Sequence, residues 1–268
     1  MSKISQKVTT RIAAELKRFQ PILSAAKARD VNESDTVTIV VDLLQYIFGY
    51  DKYSEITSEH AIRGTFCDLA IKVEGGLCFL IEVKSIGTEL KDAHVKQGVD
   101  YAANQGVDWV ILTSGTIWRV FKVGFEKPIT AEEVLTLDLL SINPRDSESM
   151  HLLSLLAKEG WEKSHLDSHH AHKQILNRYV LGAVLMSEPV IDTIRRELRR
   201  ISADGKFSEE EVRKSLAAEV IKRDVLEDAK AKDADRLVAK ASKKAIRKSP
   251  SSVVIESPPQ EVVTKEGH

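Results

Sequence analysis

The sequence is poor in cysteine and has no long apolar run. Its 268 residues include two cysteines, Cys67 and Cys78, which are too few for the disulfide scaffold of a small secreted domain. The apolar runs are too short to span a bilayer, and residues 1–20 lack the apolar core of a signal peptide. An excess of one charge is also missing, because the net charge is −1, so any basic surface must be local. We therefore expect a cytoplasmic protein with no membrane partner.

The composition is that of a globular protein. Apolar residues make up 43% of the chain and charged residues 29%, which suits one main core with a smaller annex. Apolar side chains recur at helical spacing over residues 3–29 and again over the segment that opens with Asn32 and Ser34, the two candidate N-caps. Residues 65–73 and 77–85 read as strands around the turn sequence EGG, which predicts an antiparallel hairpin.

A second group of elements follows this hairpin. A helix is predicted over residues 92–105, then a strand pair over residues 107–115 and 116–123, and a closing helix over residues 131–142. A helix between two buried strands indicates a mixed sheet with helices packed on it. The predicted fold class is therefore α/β, with a mixed β-sheet core flanked by helices.

The remainder of the chain has a different pattern. Residues 146–248 show helical periodicity throughout, and Ser208 with Glu211 three residues later has the spacing of a capping box. Residues 249–268 are rich in serine and proline, which indicates a disordered tail. The predicted organisation is a mixed-sheet domain over residues 1–145, a helical annex over residues 146–248, and the tail.

Three charged residues lie where the hairpin strands face each other. Glu82 and Lys84 are two residues apart at the end of the apolar sequence CFLIEV, so they share one face of the strand. The turn folds the first strand back, so Asp68 approaches Glu82. Two neighbouring carboxylates repel each other, and Mg²⁺ relieves that repulsion while leaving positions for water and phosphate.

This arrangement has the parts needed to hydrolyse a phosphodiester. A bound cation polarises the phosphate and lowers the pKa of a water, and Lys84 beside it stabilises the developing negative charge or helps to activate the water. The alternative is a structural ion pair between Glu82 and Lys84 at the strand end, with Asp68 merely near the turn.

The motifs of residues 30 to about 125 resemble one nuclease family. The matching sequences are NESDTVTIVVDLLQYIFGYD, GTFCDLAI, FLIEVKS and QGVDYAANQGVDWVILTSGTIWRVFKV, in that order. They are similar to the N-terminal nuclease domain of type I restriction enzyme R subunits, within the PD-(D/E)XK superfamily. The resemblance implies a restriction-endonuclease-like fold and a Mg²⁺-dependent endonuclease, with Mn²⁺ as a substitute.

The resemblance also implies roles for individual residues. Asp68 and Glu82 match the metal-binding acids, and Lys84 matches the catalytic lysine. Glu33 matches an acid on the helix before the sheet, which the family uses as a further metal ligand or catalytic support. Two more positions, Gln97 and Tyr101, match a motif that contacts DNA or supports the active site.

One large part of an R subunit is missing from the sequence. No G-x-x-x-x-G-K-[ST] loop occurs in the chain, so we expect no ATP dependence. The predicted partner is DNA, in a restriction, defence or repair setting, and residues 146–248 are a candidate surface for a homodimer. The alternative hypothesis is a non-catalytic protein that binds nucleic acid or another partner on the same fold.

Overall fold

The computed structural model describes residues 5–62, 65–202 and 204–248. The predicted disordered tail, residues 249–268, lies outside the described residues. The chain divides into two compact units, Met1–Ala171 and His172–His268.

The first unit contains six strands and six helices, the last of which continues past Ala171. In chain order they are α1 (Gln6–Ala28), α2 (Glu33–Tyr46), β1 (Ile56–Ile62), β2 (Thr65–Val73), β3 (Gly76–Val83), α3 (Asp92–Gln105), β4 (Trp109–Thr113), β5 (Ile117–Gly124), β6 (Thr130–Asp138), α4 (Ser147–Ser154), α5 (Lys158–Trp161) and α6 (His165–Ile175).

One mixed sheet forms the centre of the first unit. Its six strands lie in the order in which they occur in the chain. Strands β3 and β4 are parallel, with α3 as the crossover between them, and the other neighbouring pairs are antiparallel. Because β3 and β4 run in the same direction, their carboxyl ends meet at one edge, where Val83 pairs with Thr113. The predicted mixed sheet is confirmed.

Helices cover both faces of this sheet. Helix α1 buries a stripe that includes Val8, Ile12 and Leu16, and it shares a core with α2 and one face of the strands. Helix α3 packs its apolar side chains on the opposite face, in a separate cluster that includes Leu80 and Leu112. This three-layer arrangement follows from the burial of both faces of β3 and β4, which parallel strands require.

The sequence-based prediction was wrong at the last strand. Residues 131–142 were expected to form a helix, but β6 pairs along its length with β5. The local sequence begins with Ala131, Glu132 and Glu133, which favour a helix. Pairing with the edge of β5 and burial of Val134 outweigh that local preference. Strand β1, which pairs with β2, was not predicted at all.

The boundary between the two units also differs from the predicted domain boundary at residues 145 and 146. Helices α4 and α6 contribute Leu153 and Leu166 to the same core as α1 and the sheet, and both side chains are fully buried. The segment after residue 145 therefore belongs to the first unit as far as Ala171.

The described residues of the second unit are mainly helical, as predicted. A small cluster of Val180, Ala183 and Ala234 forms its buried core. The side chains of Ser208 and Glu211 form the predicted capping box at the start of the helix Glu209–Ser215. No helix within the described residues is both long enough and apolar enough to cross a membrane. The helices of this unit are α7 (Arg178–Leu185), α8 (Glu188–Ile201), α9 (Glu209–Ser215), a π-helical turn (Leu216–Val220), α10 (Arg223–Glu227) and α11 (Ala229–Lys248).

Candidate active site

Glu82 and Lys84 meet at the carboxyl end of β3. Lys84 Nζ donates a hydrogen bond of 2.8 Å to Glu82 Oε1, as expected for two side chains on one face of a strand. The Glu82 side chain is 5% exposed and that of Lys84 is 21% exposed. The second carboxylate oxygen, Glu82 Oε2, is buried and has no hydrogen-bond partner among the described residues. A buried carboxylate oxygen without a partner is costly, so this atom calls for an explanation.

Asp68 is brought to the same place by β2. Leu69 pairs with Ile81, so the next position along the antiparallel ladder places Asp68 beside Glu82. The Val83 backbone N–H donates a 2.7 Å hydrogen bond to Asp68 Oδ2. This bond fixes the carboxylate at the edge where the parallel strands end. The predicted approach of Asp68 to the Glu82–Lys84 pair is therefore observed.

Glu33 reaches the site from the first turn of α2. The Asn32 side chain caps this helix by accepting a hydrogen bond of 2.9 Å from the Asp35 N–H. Glu33 Oε2 lies 3.7 Å from Lys84 Nζ, and the Glu33 side chain is 50% exposed. No group of three or more His, Cys, Asp or Glu side chains within the described ranges could hold a metal ion. Glu33 thus contacts Lys84, and its role as a third metal ligand stays a prediction.

Burial and like charge shift the proton affinities at this site. Desolvation raises the pKa of Glu82, the Lys84 hydrogen bond opposes that shift, and the negative charges of Asp68 and Glu33 add to it. Desolvation alone would lower the pKa of Lys84, but the hydrogen bond to Glu82 and the three nearby carboxylates raise it overall. Lys84 therefore stays protonated at neutral pH.

Cys67 lies next to these acids and is inert. Desolvation, followed by the charge of Glu82, raises the pKa of its thiol to about 12. The sulfur lies 3.1 Å from the carbonyl oxygen of Ile81. A buried thiol of this kind is a packing group and not a nucleophile.

The two residues predicted on α3 have different environments. Gln97 is exposed, whereas Tyr101 is only 2% exposed and packs with Val95, Val99 and Ala102 beneath the helix. Burial raises the pKa of Tyr101. Of the two predicted roles, contact with DNA does not fit the burial of Tyr101, and support of the active site stays a prediction. Gln97 is placed where a partner can reach it.

Sequence reasoning missed the contribution of the turn between β4 and β5. The Lys84 backbone N–H donates a 2.8 Å hydrogen bond to the Thr113 carbonyl oxygen, which fixes the position of Lys84 beside β4. Thr113, Ser114 and Thr116 are buried polar residues at this edge. The signal was present in the sequence TSGT, where a buried strand ends in hydroxyl side chains.

The chemistry of this site suits a hard divalent cation. Asp68 and Glu82 supply carboxylate oxygens from neighbouring strands, and Glu82 Oε2 is the buried oxygen that a cation would satisfy. Mg²⁺ is commonly held by one or two carboxylates with water in its other positions. The residues present therefore fit such an ion without a third protein ligand.

Comparison of the chain with protein-family models, with curated proteins and with solved structures finds no significant match. The nuclease family that the motifs resemble therefore stays a prediction. The function has to be inferred from the geometry of Asp68, Glu82 and Lys84.

Proposed function

We propose that the protein is a metal-dependent endonuclease that hydrolyses phosphodiester bonds of DNA, in a restriction, defence or repair setting. The observation that carries this proposal is the buried, unpartnered Glu82 Oε2 beside Asp68 and Lys84 at the carboxyl edge of β3. A structural ion pair would require neither a second carboxylate nor an oxygen left without a hydrogen bond. Both features are costly for folding and useful for binding a cation.

Asp68 and Glu82 would hold Mg²⁺ or Mn²⁺ through their carboxylate oxygens, with Glu33 as an additional acid near the site. When bound, the ion supplies charge that polarises the phosphate and lowers the pKa of a water. The hydrogen bond from Val83 to Asp68 leaves the other oxygen of that carboxylate for this purpose. Both acids would therefore orient the cation and balance part of its charge, and neither needs to change its covalent state.

Lys84 acts by its charge in this proposal. The carboxylates of Glu82, Glu33 and Asp68 raise its pKa, so in the metal-free protein the ammonium is protonated at neutral pH and is a hydrogen-bond donor. Its hydrogen bond to Glu82 holds the ammonium beside the carboxylates, where negative charge develops on the phosphate oxygens. Of the two roles predicted for Lys84, stabilisation of the transition state is the one that its protonation favours.

The proposal includes the fold family and the partners. The mixed sheet with helices on both faces is compatible with a restriction-endonuclease-like fold of the PD-(D/E)XK type. Gln97, which is exposed on α3, is a proposed DNA contact. A homodimer through the helical second unit would supply two sites for two strands. ATP has no role in this mechanism.

Metal-dependent thermal stabilisation tests the site. At a Mg²⁺ concentration ten times its Kd, the expected stabilisation is about 1.4 kcal/mol, or roughly 3–6 °C in Tm for a unit of this size. Asp68→Asn should abolish the shift. Asp51→Asn is the control, because Asp51 also accepts backbone N–H bonds, from Tyr53 and Ser54. An equal shift in the wild-type protein and Asp68→Asn would contradict the metal site.

One observation favours the alternative function, a non-catalytic protein that binds nucleic acid or another partner. Within the part of the chain that the structure describes, the acids do not form a group of three metal ligands. In that case Lys84 would be the permanent partner of Glu82, and neither Mg²⁺ nor Mn²⁺ would change the Tm. The same titration therefore separates the two functions.

A further inference from the structure

An open cleft of about 350 Å³ lies at the sheet edge that carries the candidate active site. Segment 86–90, the last turn of α1 and the turn between β4 and β5 surround it. Its lining combines three apolar side chains, Ile86, Leu90 and Ile117, with three hydroxyl side chains, Thr88, Ser114 and Thr116. We call it the hydroxyl-lined cleft.

The hydroxyl-lined cleft begins next to Lys84. The Lys84 N–H donates to the Thr113 carbonyl oxygen, and Ser114, the next residue, lines the cleft. On the other strand, Ile86 follows Lys84 by two residues, so their Cα atoms are at most about 7 Å apart. Successive nucleotides of one strand are roughly 3.4 Å apart along a duplex. The cleft is therefore within reach of a nucleotide next to the bond that the site would cut.

Contacts within and between the walls of the cleft hold its shape. A Cβ atom on Gly87 would lie 2.1 Å from Asp30 Oδ1, so segment 86–90 packs closely on the connection between α1 and α2. The hydroxyls of Ser85 and Thr88 are 2.6 Å apart, and Arg119 donates a 3.1 Å hydrogen bond to the Leu90 carbonyl. The cleft is thus preformed, which is typical of ligand-binding sites.

The volume of the cleft and the charged residues that line it indicate which class of ligand it can bind. A cleft of 350 Å³ is at the small end of the range for ligand sites. The guanidinium of Arg119 is already bound by Asp92 and Glu133, so Lys27 is the exposed cation of the lining, and the exposed carboxylate of Glu89 lines the same cleft.

Leu90 and Ile117 are partly exposed and suit the face of a planar base. Thr88 is the partly exposed hydroxyl that suits its hydrogen-bonding edge, because Ser114 and Thr116 are buried behind it and their hydroxyls are 3.4 Å apart. Lys27 suits a phosphate.

We propose that the hydroxyl-lined cleft binds an unstacked nucleobase of the strand being cut, one or two nucleotides from the scissile phosphate. This inference rests on the proposed nuclease function. A base in this cleft would orient the strand over Asp68, Glu82 and Lys84. The enzyme would then act best on single-stranded or locally opened DNA, because extraction of a base from an intact duplex costs free energy.

The test replaces nucleotides of a single-stranded DNA one at a time by abasic residues and measures the cleavage rate with the wild-type protein. Loss of the base that occupies the cleft should slow cleavage by about tenfold or more, and other positions should have smaller effects. Thr88→Trp fills the cleft and should slow cleavage of the intact strand by a similar factor. Thr10→Trp is the matched control, because Thr10 is exposed on α1 about 25 Å along the helix from Lys27.

Each result decides between the two proposals. Normal cleavage at every abasic position would overturn the cleft proposal and leave the nuclease intact. If the wild-type protein cuts nothing, the nuclease proposal fails, and the cleft is then tested by NMR titration with dAMP, dCMP, dGMP and dTMP. Nucleotide binding that persists in Thr10→Trp and is lost in Thr88→Trp supports the cleft. No binding of any of the four nucleotides overturns it.

Discussion

Removal of the Lys84 ammonium should leave a buried charge without its hydrogen-bond partner. Lys84→Met roughly keeps the length of the side chain and deletes the donor to Glu82 Oε1, and Glu82 Oε2 already has no hydrogen-bond partner within the described residues. Breaking a fully buried ion pair from one side costs about 3–5 kcal/mol. Because the Lys84 side chain is 21% exposed, we expect a smaller loss, about 2–3 kcal/mol at pH 8 in EDTA.

This loss should depend on pH in a defined direction. Burial already raises the pKa of Glu82, and the Lys84 hydrogen bond that opposes this shift disappears in the variant. The native state then binds a proton that the unfolded chain releases above pH 4.5, the ordinary pKa of a glutamate. Stability therefore falls as the pH rises from 4.5 through the folded pKa of Glu82. The deficit of Lys84→Met should be largest at pH 8 and small at pH 4.5.

Urea unfolding at both pH values measures this deficit as a difference in the free energy of unfolding. The double variant with Glu82→Met should recover most of it, because an apolar pair replaces a buried ion pair at little or no cost. Lys158→Met, which breaks the 2.5 Å pair of Lys158 with Glu55, should not be rescued by Glu82→Met. A deficit that is equal at both pH values, or that Glu82→Met leaves unchanged, would show that the loss does not come from the unpaired charge of Glu82.

Two further predictions concern groups around the site. Neither Cys67 nor Cys78 should react with a maleimide in the native protein at pH 8, because burial raises the pKa of both thiols; both should react in urea, and modification of the native protein at the unfolded rate would contradict this expectation. Gly106→Ala should destabilise the first unit by about 1 kcal/mol in urea unfolding, because Gly106 ends α3 with a φ of +66° while no atom within 4 Å would contact the new Cβ. Gly106→Asn should cost less, since asparagine tolerates that conformation, and the reverse order of the two losses would show that the cost is not conformational.

The core of the candidate site was predictable because its determinants are local. Alternation along β3 places Glu82 and Lys84 on one face, and a tight turn brings Asp68 to them. Both rules act over a few residues, so no knowledge of the rest of the chain is needed. A cap at Asn32 or Ser34 was predictable for the same reason, and Asn32 is the residue that caps the helix.

The features that were missed depend on contacts between distant segments. Residues 130–138 form a strand because β5 offers an edge to pair with, which the sequence of Ala131–Glu133 does not reveal. Tyr101 is buried because of what lies beneath α3, although its spacing from Gln97 is typical of a shared helix face. Glu33 was expected at the site only through the family resemblance, because its contact with Lys84 depends on the packing of α2 against the sheet. Such contacts require the folded structure.

The most direct test of the proposed nuclease is cleavage of linear, circular and single-stranded DNA by the purified protein in Mg²⁺ or Mn²⁺, measured beside Lys84→Ala and Lys158→Ala. The control is matched because Lys158 also pairs with a largely buried glutamate, Glu55, whose side chain is 12% exposed. We predict that the wild-type protein and Lys158→Ala cut DNA, that Lys84→Ala does not, and that EDTA stops cleavage. No cleavage by the wild-type protein, or equal cleavage by Lys84→Ala, would contradict the proposed nuclease.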